Sequence, residues 1–442
     1  MLRISVHLGN GRRASSLAIA CILASLAVAA CSPDQTVAPT EFATARHSQT
    51  AAAPRAIASV RVTPSAGAIN VAATVQLTAT AYDANGNVVD GGGFKWTTID
   101  ATTATVSASG LVTGVTSGGP VIITAKPQAK GASSSIKGTA SITVNARPVA
   151  WVSVPSPTTQ PLYAVWGAAP NNVWAAGEYG TILHWDGTVW TPFANPVYPH
   201  SITRMWGFAA NDIWANGYTP GGGGFQDYHF DGTSWSYVRD GLNGPIWGIA
   251  ANDVWFTGEF GIVAHYDGTQ FTNVANPLQG AAYQTTGTAS NDVWMVAHGN
   301  GRPTTMHWDG ASWTGVAAPA LDRLWAAWAA SSTDVWATGS ADASGQTPIT
   351  IRWNGTQWST VAVPAFVGPG IMYGMWGVHS SANTTNVFSV GSTGQIVMFD
   401  GSQWVAQPST TTQTLWAVWG TSATDVWAVG AGGVILHRTF VP

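Results

Sequence analysis

The chain has 442 residues, 45% of them hydrophobic and only 9% charged, with 50 Gly, 24 Trp, two Cys and a formal net charge of −4. That length exceeds one core and suits two or three domains, and so apolar a composition excludes a disordered chain. Residues 150–442 hold sixteen Asp and Glu against six Arg and no Lys, which excludes a nucleic-acid partner, a polyanion that demands clustered cations.

In chain order, residues 1–30 read as a signal peptide, with Arg3, Arg12 and Arg13 preceding the apolar run Ala14 to Ala30. Val28-Ala29-Ala30-Cys31 resembles the bacterial lipobox. The resemblance implies that Cys31 is lipidated and becomes the first mature residue, and that the protein, with Ser32 rather than Asp following, passes to the outer membrane or cell surface. Stable anchoring takes more than one acyl chain. Both cysteines, Cys21 and Cys31, lie in this segment, so the exported domains are expected to fold without disulfides. Residues 31–56 are Ala, Thr, Ser, Pro and Gln without apolar period, which predicts a flexible tether.

Residues 57–145 read as short alternating strands between turns, the pattern of a β-sandwich. Trp96, Ala104-Thr-Val106 and Gly110-Leu-Val-Thr-Gly114 closely resemble the bacterial Ig-like domain of group 2, known from bacterial surface proteins and adhesins. The resemblance implies a spacer. Asp83-Ala-Asn85-Gly86-Asn87 mimics the start of a calcium loop, but no bidentate Glu follows, so a plain turn is expected.

Residues 146–442 repeat one phrase at a period of roughly 40 residues, the signature of a blade array. The copies align on Trp174, Trp214, Trp255, Trp294, Trp336, Phe388 and Trp427. Each opens with a strand such as Leu415 to Gly420. A turn of five to six residues leads to an Asn/Asp-Val-Trp strand, and a third strand is exemplified by Thr181 to Trp185. Asp186-Gly187 and its equivalents predict a two-residue hairpin into a fourth strand near Trp190. Four antiparallel strands make one blade, and seven copies predict a seven-bladed β-propeller. The seventh copy lacks its outer strand, and Trp151 to Leu162 matches Trp404 to Leu415 in length and composition. The segment around Trp151 is therefore expected to complete the last blade and close the ring.

The tempting functional residues have bland readings. His184, His229, His265, His307 and His437 share one third-strand position, with Arg352 and Met398 in the other copies. Spread around a ring they cannot converge on a metal, and packing against tryptophan is expected instead; no metal or cofactor is predicted. Ten of the acidic residues sit in turns. The repeated tryptophans, including Trp166, Trp206, Trp247, Trp328, Trp376 and Trp419, are expected to be inter-blade core.

First-to-second strand turns are nearly constant apart from Ser380 to Thr385, whereas second-to-third strand loops and blade connections vary widely and open on the opposite face. Binding residues concentrate on loops held by a rigid scaffold, so Glu178, Tyr179, Tyr218, Arg239, Glu259, Phe260, His298, Arg302 and Arg323 are the candidate ligand-binding residues. Gly180 to Trp190 resembles the repeats of Ycf48-type photosystem assembly factors and Asp-box propellers, although Asp and Gly are adjacent here. Asp309-Gly-Ala-Ser-Trp313 with Val426 to Gly430 is similar to tectonin-type propeller lectins, which raises carbohydrate binding. No Gly-x-Ser-x-Gly or His-Glu-x-x-His is present and the mature chain has no free thiol, so an enzyme is not expected. The sequence thus points to a monomeric, lipid-anchored surface protein that binds a protein or glycan. Its rivals are a polysaccharide hydrolase or lyase, for which Glu178 and Glu259 are a conceivable carboxylate pair, and a structural envelope component.

Overall fold

A computed structural model describes residues 56–194, 200–222, 224–258, 261–278, 280–298, 304–319, 322–342, 347–364, 370–379 and 385–441. The signal segment, Cys31, the tether, Glu259, Phe260 and Arg302 lie outside these residues. The described chain is all-β, with an Ig-like sandwich followed by a propeller.

In the sandwich, β1 (Ser59–Thr63) pairs antiparallel with β4 (Thr78–Tyr82), while β2 (Ala66–Asn70), β10 (Gly138–Asn145), β9 (Gly118–Pro127) and β6 (Phe94–Thr98) form a second sheet. Between them Val62, Leu77, Ile123, Ile142 and Val144 are buried, with Trp96 packed against the cluster. The Trp96 and Gly110 signature has a steric cause: a Cβ on Gly110 would lie 2.7 Å from the Leu77 carbonyl and 2.8 Å from the Trp96 ring. Asp83 closes its turn by accepting the Asn85 and Asn87 amide N–H groups, each at 2.9 Å. That is the plain turn expected from the sequence.

The propeller has seven four-stranded antiparallel sheets. Blade one comprises β12 (Leu162–Ala169), β13 (Asn172–Gly177), β14 (Ile182–Trp185) and β15 (Trp190–Pro192). Blades two to six occupy residues 201–240, 246–273, 282–316, 323–361 and 372–406. Blade seven is β36 (Leu415–Ser422), β37 (Asp425–Gly430) and β38 (Ile435–Phe440), completed by β11 (Val149–Ser153) from the other end of the domain. Trp151 sits opposite Arg438 in that pairing, the place that Trp190 takes opposite Trp185 in blade one.

Two turns differ from the sequence expectation. In blade one the first-to-second connection is two residues rather than five or six, because the strands run on through a bulge to the pair Ala169 and Asn172, whereas blade six keeps a longer connection after the pair His379 and Thr385. The Asp-Gly hairpin holds four residues rather than two, since Trp185 pairs with Trp190. Asp186 causes this by accepting the amides of Thr188 at 2.8 Å and Val189 at 2.9 Å, and Gly187 supplies a φ of 100°. A side-chain cap of this kind builds a longer loop than a type I′ turn does.

These caps carry a pH signature. The Thr188 hydroxyl and the Thr188 and Val189 amides hold the Asp186 carboxyl down to about 2, and the Thr269 hydroxyl with the Gln270 amide does the same for Asp267. Amide donors lower Asp231 and Asp309, and the Ser402 hydroxyl leads the lowering of Asp400. A carboxylate depressed in the folded state contributes stability above its unfolded value, near 4, and loses it as pH falls through the folded value. The melting temperature should therefore be level with respect to these groups above about pH 5 and fall between about pH 4 and 2. Blade five holds the neutral counterpart, Asn354, which accepts the Thr356 and Gln357 amides at 3.0 and 2.9 Å. Changing the hairpin aspartates to Asn together should flatten that acid limb in a scanning-calorimetry pH series; an unaltered limb would refute the assignment.

Between neighbouring blades each second-strand aromatic enters the outer hairpin of the next blade. Trp174 meets Phe230 and Trp235 at 5.0 and 6.3 Å, Trp255 meets Trp308 and Trp313 at 5.1 and 5.5 Å, and Trp294 meets Trp353 and Trp358 at 4.9 and 5.3 Å. Trp427 of blade seven closes onto Trp185 and Trp190 of blade one at 5.0 and 5.3 Å. The Asn/Asp-Val-Trp and Asp-Gly-x-x-Trp motifs are thus two halves of one contact.

Candidate functional site

The innermost strands wall a central cavity of about 660 Å³, within the size range of ligand pockets. Its wall has two aromatic tiers. The deeper tier is the Trp of the Trp-Gly motif, and here the glycine has a reason. A Cβ at Gly207 would lie 2.8 Å from the Trp166 ring of the preceding blade, at Gly377 2.7 Å from Trp328, and at Gly167 2.6 Å from Trp419. In these pairs the indole lies on its neighbour's glycine; over Gly248 the ring is Phe208, at 2.7 Å, while the Trp206 indole N–H donates to the Gly248 carbonyl at 3.1 Å. These tryptophans, read from sequence as core, pack between blades and also line the cavity.

The second tier comes from a β-bulge near the start of the inner strand. The pairing shifts register between Leu162 and Ala164, Ala282 and Gln284, Leu324 and Ala326, Met372 and Gly374, and Leu415 and Ala417. The extra residues are Tyr163, Tyr283, Trp325, Tyr373 and Trp416, which all line the cavity. A bulge re-aims a side chain that strict alternation would send elsewhere. Ring centroids step from Tyr283 to Trp325 at 4.6 Å, to Tyr373 at 5.9 Å, to Trp416 at 4.7 Å and to Tyr163 at 6.1 Å. One continuous aromatic arc thus spans blades four, five, six, seven and one. In blade two the bulge residue is Thr203, and blade three enters its inner strand through Gly244 and Pro245, so the arc is open there. Arg204, next to Thr203, occupies that opening.

The arc lies at the ends of the inner strands that meet the irregular loops, on the side singled out by loop length. Glu178 does not itself line the cavity but reaches a residue that does: its carboxylate accepts from the Tyr163 hydroxyl, whose pKa burial and then the Glu178 charge push up to about 12. Tyr218 also lines the cavity. Tyr179 is 51% exposed and holds a left-handed φ of 51°, where blade seven has Gly432 at φ 65°. Blade six holds Thr393 at φ 56° in the same turn, so the conformation belongs to the repeated turn, and what distinguishes Tyr179 is its exposed ring. Arg323 stands over Trp325 at 5.4 Å, bonds Asp322 through Nε at 2.5 Å, and His298 approaches the same Asp322 at 3.6 Å. Arg239 is placed differently: its Nε bonds the buried Asp227 at 2.9 Å and its guanidinium lies over Phe271 at 4.2 Å. That engagement holds the outer strand of blade two rather than facing the cavity.

The histidine ladder has the structural role expected of it. His229, His265, His307 and His437 bond Asp212, Asp253, Asp292 and Asp425 at 2.8, 2.7, 2.8 and 2.6 Å. Their rings lie on Trp214, Trp255, Trp294 and Trp427 at 4.5, 4.5, 4.3 and 3.9 Å. Arg352 substitutes with Asp334 at 2.7 Å over Trp336 at 4.8 Å. Among the described residues no His, Cys, Asp and Glu cluster could hold a metal, and no helix is long and apolar enough to cross a membrane.

Residues 56–136 match the bacterial Ig-like domain (group 2). The chain carries that domain at its N-terminal side. No curated protein sequence matches the chain. The propeller is similar to solved structures. YCF48 bound to D1 peptide aligns at 15% identity and a TM-score of 0.51, covering 65% of this chain and 96% of that one. YCF48 from Cyanidioschyzon merolae aligns at 17% and 0.51, covering 66% and 98%. The GH74 xyloglucanase from Xanthomonas campestris aligns at 12% and 0.51, covering 66% of this chain and 54% of that one. These likenesses establish the propeller fold; they include a hydrolase and a non-enzyme, so the fold alone does not decide the activity.

Proposed function

We propose that the protein is a lipid-anchored surface binder, held through Cys31, whose Ig-like domain presents the propeller to a protein or glycan partner. The observation that carries this reading is the aromatic arc around the cavity, on the side of the irregular loops. Five large rings aimed at the cavity by a repeated bulge are more than inter-blade packing requires, because the Trp-Gly tier and the second-strand aromatics already fill that role. A glycoside hydrolase needs two flanking carboxylates, and the described residues lining the cavity include no Asp or Glu; binding without turnover is therefore the better-supported reading. The bacterial Ig-like match accords with a surface location.

The test is a glycan array and an envelope pull-down with the full chain, beside Trp416→Ala and Tyr179→Gly. Trp416→Ala should abolish selective capture. Tyr179→Gly should weaken capture while raising stability by up to about 1 kcal/mol, since glycine relieves the left-handed strain. Capture unaffected by both variants in folded protein would reject the arc as the site. Palmitate labelling lost in Cys31→Ala tests the anchor.

A further inference from the structure

The cavity is asymmetric in charge. The aromatic arc covers five blades, and the break in it holds Arg204, whose Nη1 donates to its neighbour's carbonyl, Thr203 O, at 2.9 Å. Among the described residues no carboxylate pairs with this guanidinium, whereas Arg239, Arg323 and Arg352 each have an aspartate. Enclosure lowers its pKa from the ordinary value, with burial the sole resolved cause. A cation kept in a largely apolar enclosure without a counter-charge is costly. An anionic ligand group would supply that counter-charge, and a cationic ligand would be repelled.

The rest of the wall narrows the class. Tyr163, Trp325, Tyr373 and Trp416 border the cavity; the Tyr163 hydroxyl is engaged by Glu178 and the two indole N–H groups are buried within the protein. The wall is thus chiefly aromatic ring surface, and among the described residues lining it Arg204 is the only charged one. A pyranose combines acceptor oxygens at its edge with a C–H face that rests on an aromatic ring. An entering peptide would bring amide donors, for which the described lining side chains offer few strong acceptors beyond Gln284. We infer that the cavity receives an acidic sugar, with the uronate carboxylate on Arg204 and the ring face against the Trp416 side of the arc. This inference rests on the binding role proposed above and names its ligand class.

The experiment measures binding of the full chain, by calorimetry, to short oligomers of galacturonate, mannuronate and hyaluronan. Each is compared with its own carboxyl methyl ester, which keeps the sugar and removes the charge. A charge-assisted hydrogen bond in an enclosed site predicts at least one acid form binding about tenfold or more tighter than its ester. Arg204→Gln should erase that preference and Arg204→Lys should keep part of it, with melting curves reporting that both fold. Equal affinity for acid and ester, a preference that survives Arg204→Gln, or no uronate binding by folded wild type would each overturn the inference. A peptide with a free C-terminal carboxylate is the other arm. If it binds in a Trp416-dependent way while no uronate does, the acidic-sugar inference fails and the binding face stands; if nothing bound depends on Trp416, the binding face fails as well.

Discussion

Trp151→Ala is expected to destabilise the propeller by about 3 to 5 kcal/mol, the range for removing a large buried aromatic, seen as a lower urea midpoint. Trp151 is 4% exposed and meets Phe388 of blade six edge-on at 6.2 Å, where Arg438 also lies over the Phe388 ring at 5.4 Å. It is the only outer-strand aromatic that reaches its blade from the far end of the domain, so its loss acts on packing and on ring closure together. Deleting β11 altogether would also leave β38 with an unpaired edge, a template for association with another chain. The deletion should therefore aggregate where the point variant merely melts earlier. A midpoint unchanged by Trp151→Ala would mean that β11 is dispensable and that the ring closes by the other six contacts.

That closing strand was legible because the repeat was incomplete at one end and had a surplus match at the other, Trp151 to Leu162 against Trp404 to Leu415. The blade count, the histidine ladder and the irregular face were legible for a similar reason: each is a fixed offset within a repeated phrase. The turns were not. Asp-Gly signals a two-residue hairpin when its backbone alone decides, but a capping side chain such as Asp186 competes with that outcome, and the sequence does not say which wins. The aromatic arc was missed for a geometric reason. Tyr163, Tyr283, Trp325, Tyr373 and Trp416 stand three residues before the Trp-Gly position, and ordinary period-two alternation pairs each with its neighbours on a blade face. A bulge breaks that parity and turns the residue into the cavity. The recurrence of Tyr or Trp at that offset was the available signal. Arg204 carried no such signal, because it occurs in one blade and its isolation is a property of the enclosure.

The two tiers make a second prediction, on the one blade that departs from the Trp-Gly rule. Blade four has Thr286 where the other blades have tryptophan, and the residue it faces in blade five is Ala329 rather than glycine. The structure joins the two departures: the Ala329 amide donates to the Thr286 hydroxyl at 3.1 Å. At other blades a ring occupies the space a Cβ would need, an indole at Gly287 under Trp247 at 2.7 Å and at Gly420 under Trp376 at 3.0 Å, and Phe208 over Gly248 at 2.7 Å. Where the ring is absent, the Cβ is admissible. Thr286→Trp alone should then force the new ring onto the Ala329 methyl and cost about 1 to 3 kcal/mol, the usual range for overpacking. Ala329→Gly alone should cost about 0.5 to 1 kcal/mol through backbone entropy. The double variant should recover most of the loss, with a coupling energy of about 0.5 to 3 kcal/mol in a denaturation cycle. Strict additivity would show that the paired departures are coincidental and that the glycines serve the backbone rather than the ring above them.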